Sequence, residues 1–277
     1  MSISVENLTA LEELFVKKEW EILRDESLFS STFNRFCSRM DLYNSTEQQL
    51  MIELGYNFLD LGINDFQPYF IEAIKKIDDI NSYTSIIVAP LKKPSLRITK
   101  SSDSIWYHIK NYSDFSYETF GSKLYFTSDW DIISKGIDRP KVILILIDDF
   151  IGTGETVNDT LAELYEMNFL HNTHKIRVLT FLAQEEGVAA IEKNYGSIVI
   201  YGLGLKKGLS DNYTGDILSE KIKMMQEMEG KLKVDSEFSF GYGKSESLVA
   251  LSKRATNNTF PIFWLEKGKK KLAPFKR

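Results

Sequence analysis

Two adjacent carboxylates, Asp148 and Asp149, close the apolar run Val142–Ile147 and stand just ahead of Gly152, Thr153, Gly154, Glu155 and Thr156. Glycines at 152 and 154 lack a Cβ and tolerate positive φ, so successive backbone N–H groups can converge on an anion. Thr153 and Thr156 add hydroxyl donors, and a helix beginning directly after the loop would add its dipole. These residues have the chemistry of a phosphate cradle. Two carboxylates beside it would repel the phosphate itself. They make sense if they accept hydrogen bonds from a ribose diol, or hold Mg²⁺ through its waters. The segment therefore reads as a site for a phosphorylated ribose.

Other readings of the motif fit less well. A Walker loop needs GK[ST] after its glycines, and here the acids precede them. The G-x-G-x-x-G pattern of dinucleotide folds is not met after Gly154. An acidic strand end that merely precedes a helix cap is the bland alternative. It does not account for strand, paired acids, glycine loop and helix occurring together.

The elements that must position these residues follow a regular grammar. SIIVAP (85–90), KLYFTS (123–128), VILILI (142–147), IRVLTFLA (176–183) and SIVIYGLG (197–204) have the β-branched, apolar character of strands. Helical patterns separate several of them, over 105–112, 155–168 and 185–195. Strands that alternate with helices, some as unbroken apolar runs, predict an α/β fold with a mainly parallel sheet flanked by helices. Two acids at the end of the strongest strand then stand where ligands of such sheets bind.

The first eighty residues read differently, as a helical N-terminal region. Leu11, Leu14, Phe15, Trp20 and Leu23 recur at helical spacing, as do Phe29, Phe33 and Phe36, and these stripes are expected to be core. Asn7 or Thr9, Ser45 or Thr46, and Asn64 are the candidate caps, with Glu47 and Gly62 marking the two ends of the third helix. The expected division is residues 1–80 as the helical region and 81–277 as the α/β domain with a C-terminal hood. A charged helix over 216–232 and the stretches FGYGKSE and NNTFPIFW belong to that hood. Phe263 and Trp264 are expected in the core, with a stacking role toward a ligand as the minor alternative.

Composition removes several function classes. The net charge is −5 with 43% hydrophobic residues, which describes an ordinary globular chain without a nucleic-acid footprint. The basic cluster Lys267–Lys271 is expected to be solvated. Cys37 is the single cysteine, so no intrachain disulfide exists and a structural thiol is expected. His108, His171 and His174 lack metal-ligand spacing. The longest apolar run is far short of the ~20 residues a membrane helix requires. With acids and no signal-like apolar stretch near Met1, a cytoplasmic protein and no membrane partner are expected.

The segment ILIDDFIGTGETV resembles the signature of the type I phosphoribosyltransferases, and the segment order from about 82 to 204 fits their core. The resemblance implies a loop at 152–156 for the 5-phosphate of phosphoribosyl pyrophosphate (PRPP). It implies Asp148 and Asp149 as the acids that meet the ribose hydroxyls, with Mg²⁺ as the companion ion. The family's pyrophosphate loop would fall at Leu91–Ser102, which holds Lys92, Lys93, Arg97 and Lys100 but no glycine. Lys100, Ser101 and Ser102 are its preferred anion contacts, and Lys135 and Arg139 the cations of the segment expected to form a lid. Phe150 is bulkier than the family's usual aliphatic residue. Gly152 stands where 6-oxopurine transferases carry an acid, which argues against hypoxanthine or guanine as acceptor.

Together, DDFIGTG, FGYGKSE and NNTFPIFW behind a helical N-terminal region resemble phosphoribosyltransferase-like proteins of bacterial conflict or anti-phage gene neighbourhoods. Two functions follow from the resemblance. One is Mg²⁺-dependent ribosyl transfer from PRPP or a related nucleotide. The other is a catalytically inactive nucleotide-sensing or partner-binding module, in which residues 1–80 dock a protein partner or a second copy.

Overall fold

The computed structural model describes residues 3–20, 31–62, 65–77, 79–96, 98, 100–110, 123–171, 175–266 and 273–277. Leu23, Phe29, Asn64, Arg97, His174 and the Lys267–Lys271 cluster lie outside them. In chain order the elements are α1 (Val5–Lys17), α2 (Thr32–Met40), α3 (Ser45–Asn57), β1 (Leu59–Leu61), α4 (Phe66–Lys75) and β2 (Ser85–Pro90). There follow α5 (Ser101–Lys110), β3 (Leu124–Phe126), α6 (Trp130–Ile137), β4 (Val142–Ile151), α7 (Glu155–Glu166) and β5 (Ile176–Gln184). The last are α8 (Glu185–Tyr195), β6 (Val199–Leu205), α9 (Gly215–Leu232), β7 (Val249–Leu251) and β8 (Arg254–Ala255).

The chain divides into two compact units, residues 65–205 and residues 1–64 together with 206–277. The first is an α/β unit with a five-stranded sheet in the order β3-β2-β4-β5-β6. Every pairing in it is parallel. β4 sits at the centre, and Val142–Ile147 are all buried there, as expected of a strand covered on both faces. Helix α5 packs on β2 and β4, α4 on β5 and β6, while α7 and α8 pack on each other. Leu144, Leu146, Val157, Leu161, Val178 and Ile191 share one apolar cluster, which ties β4, α7, β5 and α8 together.

The other unit joins the two ends of the chain. Phe15, Phe36 and Phe58 are buried in one core with Phe263 and Phe275. Phe58 and Phe275 stack at 4.4 Å, and Trp20 packs edge-on against both Phe58 and Phe275. Of the described stripe residues, Leu11, Leu14, Phe15, Phe33 and Phe36 are core and Trp20 is half-buried against it, and Phe263 and Trp264 are part of the same core. This arrangement differs from the expected division near residue 80. Phe15 of α1 packs against Phe33 and Phe36 of α2, and Phe36 and Phe58 are in turn covered by Phe263 and Phe275 from the C-terminal tail.

Several local expectations change for identifiable reasons. Residues 59–61, read as the end of a helix, form a strand because Leu59, Asp60 and Leu61 pair in parallel with Val249, Ala250 and Leu251. Helix α1 is capped by Ser4, whose hydroxyl accepts from the Asn7 N–H, and Asn7 instead reaches Gln48. Helix α3 is capped by Asn44 in a capping box with Glu47, ahead of both Ser45 and Thr46. The segment through Lys135, expected to form a lid, is helical as α6, capped by Asp129 and anchored by buried Ile133 and Ile137. No helix among the described residues is long and apolar enough to cross a membrane.

Candidate functional site

The connections of the sheet locate its crevice. From β2 the chain moves outward to β3, then returns past β2 to β4 and continues outward through β5 and β6. The winding direction thus reverses between β2 and β4, and open parallel sheets bind ligands at such a reversal, outside the carboxyl ends of the strands. Leu91, just past β2, donates its N–H to the Ile147 carbonyl at 2.8 Å. The loop after β2 and the acids of β4 are therefore neighbours.

Strand β4 is longer than its apolar run. It continues through Asp148, Asp149 and Phe150 to Ile151, with Asp148 aligned to Thr180 and Ile151 to Ala183 on β5. The acids belong to the strand, and the turn into α7 is only Gly152, Thr153 and Gly154. Pairing with β5 carries the ladder past the end of the apolar run, which is why composition alone ended the strand too early.

Asp148 is buried, and Asp149 is half-buried. Burial, then the Asp149 carboxylate beside it, hold the Asp148 carboxyl well above the usual carboxylate range, while the Asp149 backbone N–H and the Lys100 cation act in the opposite sense. The Asp149 N–H donates to Asp148 Oδ1 at 3.0 Å. Asp149 Oδ1 in turn accepts from the Phe150 N–H at 3.1 Å and from Ser101 Oγ at 3.0 Å. Ser101, at the start of α5, and Lys100 are thus brought to the acid pair from the neighbouring strand's loop. Ser102 is turned inward, buried, with its hydroxyl donating to the Leu91 carbonyl at 2.9 Å. It ties the start of α5 to the end of β2.

Two further cations of the β2 loop, Lys92 and Lys93, have partners within the chain. Lys92 pairs with Asp103 at 3.1 Å, and Lys93 with Asp159 at 2.9 Å. Asp103 also accepts from the Lys100 N–H at 2.8 Å, and Glu163 from the Ser95 N–H at 2.8 Å. Carboxylates of α5 and α7 thereby hold a glycine-free loop in shape. Lys135 and Arg139, expected in a lid segment, lie in α6 and the turn after it.

Gly154 caps α7 with φ 79°, a left-handed conformation that favours glycine. Thr153 Oγ1 accepts from the Glu155 N–H at 3.4 Å, while Glu155 and Thr156 occupy the exposed first turn of α7. A helix leaves its first N–H groups without intrahelical acceptors, so this turn presents donors to an anion.

One residue of the site was missed in the sequence. A Cβ on Gly187, in the first turn of α8, would stand 2.0 Å from the Gly152 carbonyl oxygen. One on Gly154 would stand 2.5 Å from the Gly187 carbonyl oxygen. The turn after β4 and the first turn of α8 are therefore in backbone contact, each needing the other's glycine. The signal was a glycine within a helical pattern, which calls for a packing reason.

No curated protein matches the chain. Among solved structures, one described as "Structure of AQ2163 protein from Aquifex aeolicus" is similar at 15% identity and a TM-score of 0.32, over 72% of this chain and 96% of that one. A family model, PRTase-CE, matches residues 73–277, a range that includes β2, the acid pair, the turn after it and Gly187. With most of its length so matched, the chain belongs to PRTase-CE, a phosphoribosyltransferase-type family.

Proposed function

We propose that residues 145–157 bind PRPP, or a related ribose 5-phosphate or nucleotide, and that the bound ligand undergoes Mg²⁺-dependent ribosyl transfer with release of pyrophosphate. The observation that carries the reading is the acid pair at the end of β4 running directly into a glycine turn and a helix N-terminus. In this reading the 5-phosphate takes the N–H groups around Gly152 to Thr156, and Asp149 accepts from a ribose hydroxyl. Asp148 carries its proton to higher pH than an ordinary aspartate, so it either donates to the diol or releases the proton as a cation arrives. Lys100 and Ser101 face the developing negative charge of the leaving pyrophosphate.

No group of three His, Cys, Asp or Glu side chains suited to a metal is found among the described residues. Mg²⁺ is commonly held by one or two carboxylates together with a substrate's own phosphates, and Asp148 with Asp149 fits that donor set. Mg²⁺ bound there would offset the charge of the pyrophosphate. Titration calorimetry with PRPP and Mg²⁺ tests binding. Saturable heat that is lost in Asp149→Asn is the expected result, and no heat for the wild type overturns the reading.

A second reading has its own support. The pairing of Lys92 with Asp103 and of Lys93 with Asp159 occupies two cations that a pyrophosphate would need. The same site would then sense a phosphorylated ribose without turning it over, as a module of a bacterial defence system in the cytoplasm. Pyrophosphate release with nucleobase, nucleotide or amide acceptors separates the two. Release supports the transferase, and ligand binding without release supports the sensor.

A further inference from the structure

The unit formed by residues 1–64 and 206–277 buries an arginine cluster that the ribose-phosphate reading does not use. Arg35 and Arg39 lie one turn apart on α2, and Tyr43 follows one turn later. Arg39 and Tyr43 are 0% exposed and Arg35 7%. Arg39 Nη2 donates to the Leu265 carbonyl. By strict hydrogen-bond geometry Arg39 Nε and Nη1 and Arg35 Nε find no partner among the described residues, while the Tyr43 hydroxyl lies close enough to the Arg39 guanidinium to interact with it. Natural interiors rarely leave such donors unpaired, and least of all a guanidinium, which cannot shed its charge.

Two carboxylates near Tyr43, Glu47 and Glu229, are directed elsewhere. Glu47 binds Lys231 and the Asn44 N–H, and Glu229 binds Ser239 Oγ and the Phe240 N–H. Glu266 supports the charge of Arg35 from its exposed position. Burial lowers the pKa of Arg39 and pushes the Tyr43 hydroxyl up to about 12, so the phenol remains a neutral donor. Two guanidinium charges thus lie one turn apart on α2, with the phenol hydroxyl in the turn that follows, graded from the slightly exposed Arg35 to the enclosed Arg39.

We propose that Arg35, Arg39 and Tyr43 form a binding site for a phosphoryl group, separate from the acid-pair motif and outside the family-matched residues. A dianionic phosphate balances two guanidinium charges, which a single carboxylate does not, and its oxygens offer acceptors to several donors at once. The group comes from free phosphate or from the phosphate of a small nucleotide, since the cluster is too enclosed for a macromolecule. The site does not depend on what β4 binds.

The test is a titration of the full-length chain, followed through the Nε–H signal of Arg39 in proton–nitrogen spectra. Inorganic phosphate and a nucleoside 5′-monophosphate are the two probes. The expected result is a saturable shift that persists in an Asp149→Asn background. Arg39→Met and Arg35→Met should each weaken binding by about 10- to 100-fold, the range for losing one hydrogen bond to a charged group. Tighter binding of the monophosphate assigns the source to a nucleotide, and equal binding assigns it to free phosphate. An Arg39 signal unmoved by both probes overturns the proposal and leaves water as the partner of these donors. If Arg39→Met does not fold, Arg35→Met decides, and undiminished affinity in that variant also overturns it.

Discussion

Replacing Gly187 with alanine isolates the contact between the turn after β4 and the first turn of α8. The new Cβ would stand 2.0 Å from the Gly152 carbonyl oxygen, 2.9 Å from its carbonyl carbon and 3.1 Å from Ile151 Cγ2. A Cβ essentially never approaches a non-bonded heavy atom closer than 3.0 Å, so the turn must move by at least 3.0 − 2.0 = 1.0 Å. The obstacle is backbone and cannot rotate aside. Overpacking of this kind costs about 1–3 kcal/mol, and the gain in helix propensity from Gly to Ala returns about 0.5–1 kcal/mol. A net loss of up to about 2.5 kcal/mol follows. The same displacement moves the N–H groups of the turn, and losing one hydrogen bond to a charged phosphate weakens binding by about 10- to 100-fold. Urea unfolding and calorimetric titration of PRPP with Mg²⁺ measure the two effects. Gly230→Ala in α9 is the control, since its Cβ meets nothing within 4 Å. That variant should gain about 0.5–1 kcal/mol and bind as the wild type does. If Gly187→Ala binds the ligand as tightly as the wild type, the turn is not the phosphate cradle.

Asp148→Asn should stabilise the ligand-free protein, because burial and Asp149 raise the folded pKa of Asp148 above its unfolded value. The stabilising effect of a raised carboxyl is present at acid pH and lost as pH rises toward the folded pKa, so the advantage of the amide should be small near pH 4 and grow with pH. Unfolding of both proteins across that range checks the sign, and a gap that shrinks with pH refutes it. Glu246→Ala removes the acceptor of the Leu209 and Ser210 N–H groups, each at 2.8 Å. Leaving such groups unpaired costs about 1–3 kcal/mol, read as a lower urea midpoint. Asn44→Ala breaks the capping box of α3 and should cost about 1 kcal/mol by the same measurement.

The β4 motif shows how far local sequence reaches. The apolar run, the acids and the glycine-threonine loop are contiguous, so backbone conformation and side-chain chemistry could be read together, and SIIVAP and EEGVAAIEKNY matched β2 and α8 residue for residue. Periodicity likewise marked the aromatic stripes as core. What the stripes pack against was illegible, because Phe58 and Phe275 are brought together only by folding. The strand at 59–61 exists because a distant segment pairs with it, and three residues carry too little local preference to announce that. Ser101 on Asp149, the pairing of Lys92 and Lys93, and the burial that raises Asp148 are likewise relations between segments far apart in sequence. Gly187 was visible as a residue but not as a partner of Gly152. Sequence by itself determined the chemistry of the acid pair and its loop. Tertiary structure decided their environment, since burial, charge coupling and steric contact depend on distances that no spacing along the chain encodes.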